Sequence, residues 1–449
     1  MSEYPEYRTQ SLCPDCLGRI EARHTIEGDQ IFQEKTCPEH GTFKTKIWQG
    51  KASYAQWTRP KIPIQKRFNM TPVQAGCPFD CGLCPEHGQH TCTAVLDITA
   101  RCNLDCTFCF AGASADSPPD KRPPDPDMDT LSRLLDRVYQ VSPDANLQLS
   151  GGEPTLRKDL PQIIAAARQT GFGFVQVNTN GLALARDPAL APALKAAGLS
   201  SIFLQFDGVS DRVYQRLRNQ PLFEIKQAAV RACAQNQIGV ILVPTLVPGI
   251  NIQDIGPILE FGLENAPNVR GVHFQPVSFF GRHGAAPSDR DRITIPEILA
   301  HIETQTRGIF RAADFKPSSC EHALCAFTGK FIRSDTGPPR ALTIFDTACC
   351  TPAPAEQGAR KARASVVRHW QAPARPASPD GDENDLDRFI RQAEQGMFTV
   401  SGMAFQDVWN LDLERLKGCC IHAVSPDGRL IPFCAYNLTR ADGKGLYRK

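Results

Sequence analysis

From Thr93 onward the chain alternates between short apolar runs and longer stretches of helical period. Thr93 to Thr99 reads as a buried strand, and the signal returns at Asn146 to Leu149, Gly173 to Asn178, Ser201 to Phe206, Val240 to Leu246 and Val269 to Gln275. Between two of these runs, Leu160, Ile163, Ile164 and Ala167 fall on one stripe of a helix. Repeated strand–helix units predict an α/β fold whose parallel sheet curls into a partial (β/α)6 barrel, and such barrels carry their chemistry at the C-terminal ends of the strands.

Outside this pattern the chain divides into modules. Residues 1–60 and 61–92 read as two small cysteine-rich modules, 93–290 as the barrel and 291–449 as a further cysteine-bearing region. Asp116 to Asp129, rich in Pro and Asp, reads as a loop. Thr351 to Asp387, rich in Pro, Ala, Arg and Asp, has little apolar periodicity and reads as a disordered insert. Leu386 to Met397 and Asp407 to Leu416 are expected to be helical.

Composition changes this picture at one point. A formal net charge of +2 and 41% hydrophobic residues, with no run of about 18 apolar residues, predict a soluble, cytoplasmic protein with no integral membrane segment. The absence of a basic stripe argues against nucleic acid. The exception is cysteine, with 18 residues arranged in short-spaced clusters. In a reducing compartment that pattern favours metal ligation over structural disulfides.

The decisive motif follows the first strand: Cys102, Cys106 and Cys109 in a C-x3-C-x2-C loop. Three thiolates hold three irons of a [4Fe–4S] cluster and leave the fourth iron open to a ligand. Phe108 stands beside the last thiol, placed to contact an adenine. At the end of the second strand, Gly151 and Gly152 allow close backbone approach and Glu153 can accept hydrogen bonds from an ammonium group. Loop, strand and Gly-Gly-Glu-Pro together resemble the radical S-adenosylmethionine (SAM) superfamily over roughly residues 93 to 275. The resemblance implies a SAM-binding cluster, reductive cleavage of SAM to a 5′-deoxyadenosyl radical, and hydrogen abstraction from an unactivated carbon. It further implies that Asn178, Asn180, Gln205 and Asp207 face SAM or substrate, although Asn-Gly and Asp-Gly are also ordinary turn formers. Val243 and Pro244, on the fifth strand, are placed either to contact adenine or, the favoured reading, to pack in the core.

Cys77, Cys81, Cys84 and Cys92 form a four-thiol set suited to an auxiliary [4Fe–4S] cluster or to zinc. Cys13, Cys16 and Cys37, with His40 or a remote thiol, suit one mononuclear zinc or rubredoxin-like iron. From the C-terminal cysteines, Cys320, Cys325, Cys420 and Cys434 are expected to hold another auxiliary cluster. One member of each adjacent pair, Cys349/Cys350 and Cys419/Cys420, is then a packing residue or spare thiol. Cys233 reads as core, and His87, His90, His322 and His422 as hydrogen-bond partners of clusters.

The segments LCPDC, CPEHG, GCPFDCGLCPEHGQHTC, PSSCEHALC and CCIHAVSPDGRLIPFCAYN extend the similarity beyond the barrel. They resemble the branch of tetraether lipid synthases and pterin methylases. That branch implies one or two auxiliary clusters, a mononuclear metal, and an electron donor such as ferredoxin or flavodoxin. The main expectation is carbon–carbon bond formation on a lipid chain, with methyl transfer to a pterin or other small molecule as the alternative. A non-enzymatic iron–sulfur scaffold is the reading from another class. A wide apolar tunnel beside the cysteine loop would favour lipid, and a compact polar pocket would favour pterin.

Overall fold

The computed structural model describes residues 7–64, 70–116, 118, 122–333, 337–342, 352–373 and 395–448. Six parallel strands, Thr93–Thr99, Asn146–Gly151, Val175–Thr179, Ser201–Gln205, Gly239–Val243 and Val269–Pro276, lie side by side in chain order. They are the expected strands of the partial barrel, trimmed or lengthened by a few residues. Alternation sets their faces: Leu147, Leu149, Val175, Val177, Ile202 and Leu204 pack outward into the helical layer and are fully buried.

Local chemistry fixes the helices. Met128–Val141 starts where the Asp127 carboxylate accepts from the Thr130 amide at 2.8 Å. Leu160–Thr170 buries the predicted stripe of Leu160, Ile163, Ile164 and Ala167 and stops at Gly171, whose φ of 117° suits glycine. Ile295–Gln305 opens with a capping box between Thr294 and Glu297.

The six strands do not close on themselves, and the C-terminal region covers both raw edges. Met397–Met403 pairs parallel to the sixth strand, and Ile421–Val424 pairs parallel to the first. Ala326–Ile332 then adds antiparallel to Met397–Met403, and Leu430–Pro432 to Ile421–Val424. The N-terminal module is a four-stranded antiparallel sheet, Arg8–Leu12, Arg19–Glu27, Gln30–Cys37 and Gly41–Gln49. It docks on the segment 407–412 through buried polar contacts, including Gln33 Nε2 to the Leu411 carbonyl at 2.7 Å and Thr9 Oγ1 to Asp412 at 2.7 Å.

Two expectations are corrected here. The stretch 351–387 contains a helix, Ala355–Trp370, seated against the barrel: Arg270 Nε donates to the His369 carbonyl at 3.0 Å, and Trp370 stacks on Phe203. Its small residues hide the pattern, since the buried contacts are Ala355 and Ala359 rather than large apolar groups. Within 407–416 only Leu413–Lys417 is helical, because Asp407 and Asp412 are both drawn into local capping and turn bonds. Of the helix expected over 386–397, residues 386–394 lie outside the described residues, and Met397 begins a strand. Among the described residues no helix is long and apolar enough to cross a membrane.

A buried ion pair joins the C-terminal segment to the exit of the sixth strand. Arg292 makes two bonds of 2.9 Å to Asp407, which also accepts from the Phe279 and Trp409 amides. Asp407→Asn leaves the Arg292 charge buried without its partner, and the expected loss is about 3–5 kcal/mol of unfolding free energy. Urea unfolding followed by tryptophan fluorescence measures it; an unchanged midpoint would show that the pair contributes nothing.

Candidate active site

Cys102, Cys106 and Cys109 occupy the loop that leaves the first strand, and all three line one cavity of about 680 Å³. The loop is held from several sides. Thr107 N donates to the Leu217 carbonyl at 3.0 Å, Cys109 and Arg282 exchange backbone bonds of 3.0 Å, and Asn180 Nδ2 donates to Asn103 Oδ1 at 2.7 Å. Thus the exits of the third and sixth strands and the end of the helix Asp211–Arg218 all grip it.

The glycines act through the same loop. A Cβ on Gly151 would lie 2.2 Å from the Thr99 carbonyl oxygen, and one on Gly152 would lie 2.1 Å from that of Arg101. Only glycine lets the second strand's exit approach the stem of the cysteine loop so closely. Glu153 is buried, and its carboxylate is already engaged: Oε1 accepts from Thr155 N, Thr155 Oγ1 and Thr179 Oγ1, while Oε2 accepts from Asn180 N at 2.8 Å. One acidic side chain therefore ties the second strand's exit to the third's and retains acceptor capacity on Oε2 toward the cavity.

Phe108, Asn178, Asn180 and Gln205 line the cavity, and Asn178 Oδ1 is buried without a partner among the described residues. Asp207 does not line it. Its carboxylate is fully buried and makes two 2.8 Å bonds to Arg218 while accepting from Thr245 N, so its role is to place Arg218. Val243 lines the wall of the cavity, and Pro244 uses its carbonyl in a backbone bond to Gln275.

Sequence reasoning missed three cations. Arg218 reaches the Phe108 carbonyl and bears electrostatically on Cys106. Arg282 donates to the Cys106 carbonyl at 2.8 Å, and one of its terminal nitrogens is buried without a partner among the described residues. Lys226, wholly buried, donates to the Asn180 carbonyl at 2.5 Å and to Gln205 Oε1 at 3.0 Å, and burial pulls its pKa down to about 8. These residues sit far from the cysteines in sequence, at strand exits and helix ends, where no local spacing marks them. Burial pushes the lone Cys102 thiol up to about 12; a cluster that binds as thiolates displaces those protons. Three thiols converging on one cavity, with Arg218 and Arg282 to offset their charge, fit a [4Fe–4S] cluster with one open iron.

The other cysteines regroup. Cys13, Cys16, Cys37 and His40 bring all their ligand atoms within 4.8 Å of one another, with Cys16 and Cys37 sulfurs 4.0 Å apart. Thiolates about 2.3 Å from one tetrahedral ion sit at about that spacing. Cys92 does not join Cys77, Cys81 and Cys84. Its sulfur is bonded to that of Cys320, and Cys420 lies within 4.8 Å of both, so the three are grouped as ligands of one site. Cys325 and Cys434 leave Cys320 and Cys420 and gather with Cys419, each thiolate disfavouring the next after burial. Arg415 donates to Cys325 Sγ at 3.2 Å.

Cys419 and Cys325 also bear electrostatically on the adjacent Cys420, and Cys420 is the member of the pair that lies within 4.8 Å of Cys92 and Cys320. Cys349 and Cys350 lie outside the described residues. Cys233 is in the core. His87 bonds to the Cys419 carbonyl and to His422, and His322 accepts from Leu324 N, while His90 has a backbone bond to Gln89.

A family model of the radical SAM superfamily matches residues 96–262, and one described as the HMPTM N-terminal zinc ribbon domain matches residues 6–49. The chain belongs to the radical SAM superfamily and is a radical SAM enzyme. It is 35% identical over 96% of its length, and 93% of the relative's, to 7,8-dihydro-6-hydroxymethylpterin dimethyltransferase of Methanocaldococcus jannaschii. Over half its length it is 28% identical to GTP 3′,8-cyclase of Paenarthrobacter nicotinovorans, covering 61% of that protein. Among solved structures, the FeFe-hydrogenase maturase HydG of Carboxydothermus hydrogenoformans overlays with a TM-score of 0.39 at 14% identity, covering 49% of this chain and 53% of that one. These comparisons give no support to lipid biosynthesis.

Two outcomes follow from this geometry. Gly152→Ala forces the cysteine loop off the second strand, so the purified, anaerobically reconstituted variant is expected to lose the iron bound by Cys102, Cys106 and Cys109 and at least 100-fold of SAM cleavage, as ~1 Å displacements at active sites do; wild-type cleavage would refute the packing role. Metal analysis of the as-isolated protein is expected to find one zinc that Cys37→Ser removes. Zinc content unaffected by that change would place the ion elsewhere.

Proposed function

We propose that the protein methylates a pterin by radical chemistry, in place of the lipid coupling first expected. The full-length similarity to a hydroxymethylpterin dimethyltransferase carries this reading. The barrel interior supports it. Where the strands face inward they present Asn146, Gln148, Gln176, Asn178, Gln205 and Gln275, and aromatic side chains such as Phe108, Phe110 and Phe280 stand at the cysteine-loop end. Paired amide donors and acceptors match the hydrogen-bonding edge of a fused heterocycle, whereas a saturated lipid chain would leave them unpaired at considerable cost.

In this reading Cys102, Cys106 and Cys109 hold the cluster, and the cluster with SAM supplies the 5′-deoxyadenosyl radical. The protein's own part is positional. Glu153 Oε2 and Asn178 Oδ1, both on the cavity wall, supply acceptors for the polar end of SAM. Gln148, whose amide donates to Gln176 Oε1 at 2.8 Å, and Gln176, which donates to Ser201 at 2.7 Å, are locked in a chain that presents fixed faces to substrate. The aromatic rim excludes water from the reacting carbon.

Two further thiol groups, Cys92/Cys320/Cys420 and Cys325/Cys419/Cys434, together with Cys77, Cys81 and Cys84, are read as auxiliary iron–sulfur sites. A ferredoxin or flavodoxin is the class of reductant such sites require, and the N-terminal ribbon takes zinc.

Anaerobic reconstitution with iron and sulfide, then reductant, SAM and 6-hydroxymethyl-7,8-dihydropterin, tests the function. The wild type is expected to form 5′-deoxyadenosine and a methylated pterin detected by mass, and Cys106→Ala neither. 5′-Deoxyadenosine without any change in the pterin would keep the class and overturn the substrate.

A further inference from the structure

The helix Ala355–Trp370 borders the barrel cavity along one stripe: Ala362, Val366 and Trp370, four residues apart, all line it. The helix end is pressed onto the start of the fifth strand, where a Cβ on Gly239 would lie 2.4 Å from the Trp370 carbonyl oxygen. Only glycine there lets the chain bring the indole this close to the sheet. Trp370 then stacks on Phe203 of the fourth strand, with ring centroids 5.7 Å apart and 23° between planes, and meets His273 of the sixth strand edge-on at 6.1 Å. Phe203 and His273 complete the group at 5.4 Å, and all three line the cavity.

His273 is fixed by its register. It stands opposite Ser401 of the strand Met397–Met403, and its Nδ1 and the Ser401 hydroxyl are 2.9 Å apart. Burial pulls its pKa down to about 4, so the ring is uncharged at neutral pH. With Nδ1 engaged, Nε2 is the atom through which the ring can meet a ligand, as donor or acceptor according to the tautomer that Ser401 selects. Gln205 follows Phe203 by two residues and Gln275 follows His273 by two, so both amides stand on the same inward faces, about 7 Å nearer the cysteine loop. Gln205 Oε1 accepts from Lys226 Nζ at 3.0 Å, which leaves the amide NH2 to donate. Aliphatic side chains would fill the same space. Stacked rings beside oriented amides and an uncharged imidazole instead match the face and the edge of a flat heterocycle.

We propose that this group holds the substrate's ring: Trp370 and Phe203 supply the aromatic surface on which it packs, and His273 Nε2 with the Gln205 and Gln275 amides meets its hydrogen-bonding edge. A ring seated there lies within the barrel, below the strand exits that carry the cysteine loop and Glu153. Trp370 thus makes a helix from outside the six strand–helix units part of the substrate site. The inference rests on the pterin reading for the identity of the ring and on the aromatic group for its place.

Equilibrium binding of 6-hydroxymethyl-7,8-dihydropterin to the anaerobically reconstituted holoprotein, with SAM present and reductant left out, tests it. Trp370→Leu is expected to weaken binding about tenfold, and Trp370→Phe, which keeps a ring, less than about threefold. Two amide replacements of His273 separate recognition from packing, because the amide of His273→Asn reaches the place of Nδ1 and that of His273→Gln the place of Nε2. Recognition through Nε2 predicts that His273→Asn loses about tenfold and His273→Gln stays within about threefold. The reverse order, equal losses in all four variants, or wild-type affinity in both Trp370→Leu and His273→Asn overturns the subsite. Guanosine, which shares the aminopyrimidinone ring, is the second probe. Guanosine binding that follows the same order of variants, with no pterin bound by the wild type, keeps the subsite and overturns the pterin reading; binding of neither overturns both.

Discussion

The catalytic end of this protein depends on how closely two strand exits approach each other. Gly151 and Gly152 lie where any side chain would enter the carbonyls of Thr99 and Arg101. That contact fixes the stem of the cysteine loop and places Glu153 against Thr179 and Asn180, so the third strand's exit is drawn into the same cluster of bonds. The loop's far side is then pinned by Arg218, itself held by Asp207, and by Arg282. A cluster site built this way is rigid before any ligand arrives, which is what positioning chemistry requires.

Much of this was legible in the chain. Period-two and helical patterning located the six strands and the Leu160 stripe because one face of each element is uniformly apolar. The three-cysteine loop and the glycine pair announced themselves by spacing. The helix Ala355–Trp370 did not, since its buried side is made of alanines whose surroundings look like those of any polar, Pro-flanked stretch. Asp207 illustrates a different failure. A carboxylate at a strand end facing ligand and one facing an arginine are the same letter, and only the fold brings Arg218 to it.

The cysteines show where reading by proximity in sequence breaks down. Cys92 lies eight residues from Cys84 yet pairs with Cys320, because the chain turns at Cys92 into the first strand while Ile421–Val424 runs alongside, bringing Cys420 level with it. Of the neighbours Cys419 and Cys420, it is Cys420 whose sulfur lies within 4.8 Å of those of Cys92 and Cys320. Strand direction and edge pairing, which have no local signature, decided the partners.

The covering of both barrel edges by late strands has a consequence for how the protein is made. Until Met397–Met403 and Ile421–Val424 have left the ribosome, the nascent barrel exposes two unsatisfied strand edges, and two of its thiol groups lack the members at Cys419, Cys420 and Cys434. Open edges invite pairing with other chains. Barrel completion is thus tied to the synthesis of these late strands, and a chain truncated before them would keep both edges open.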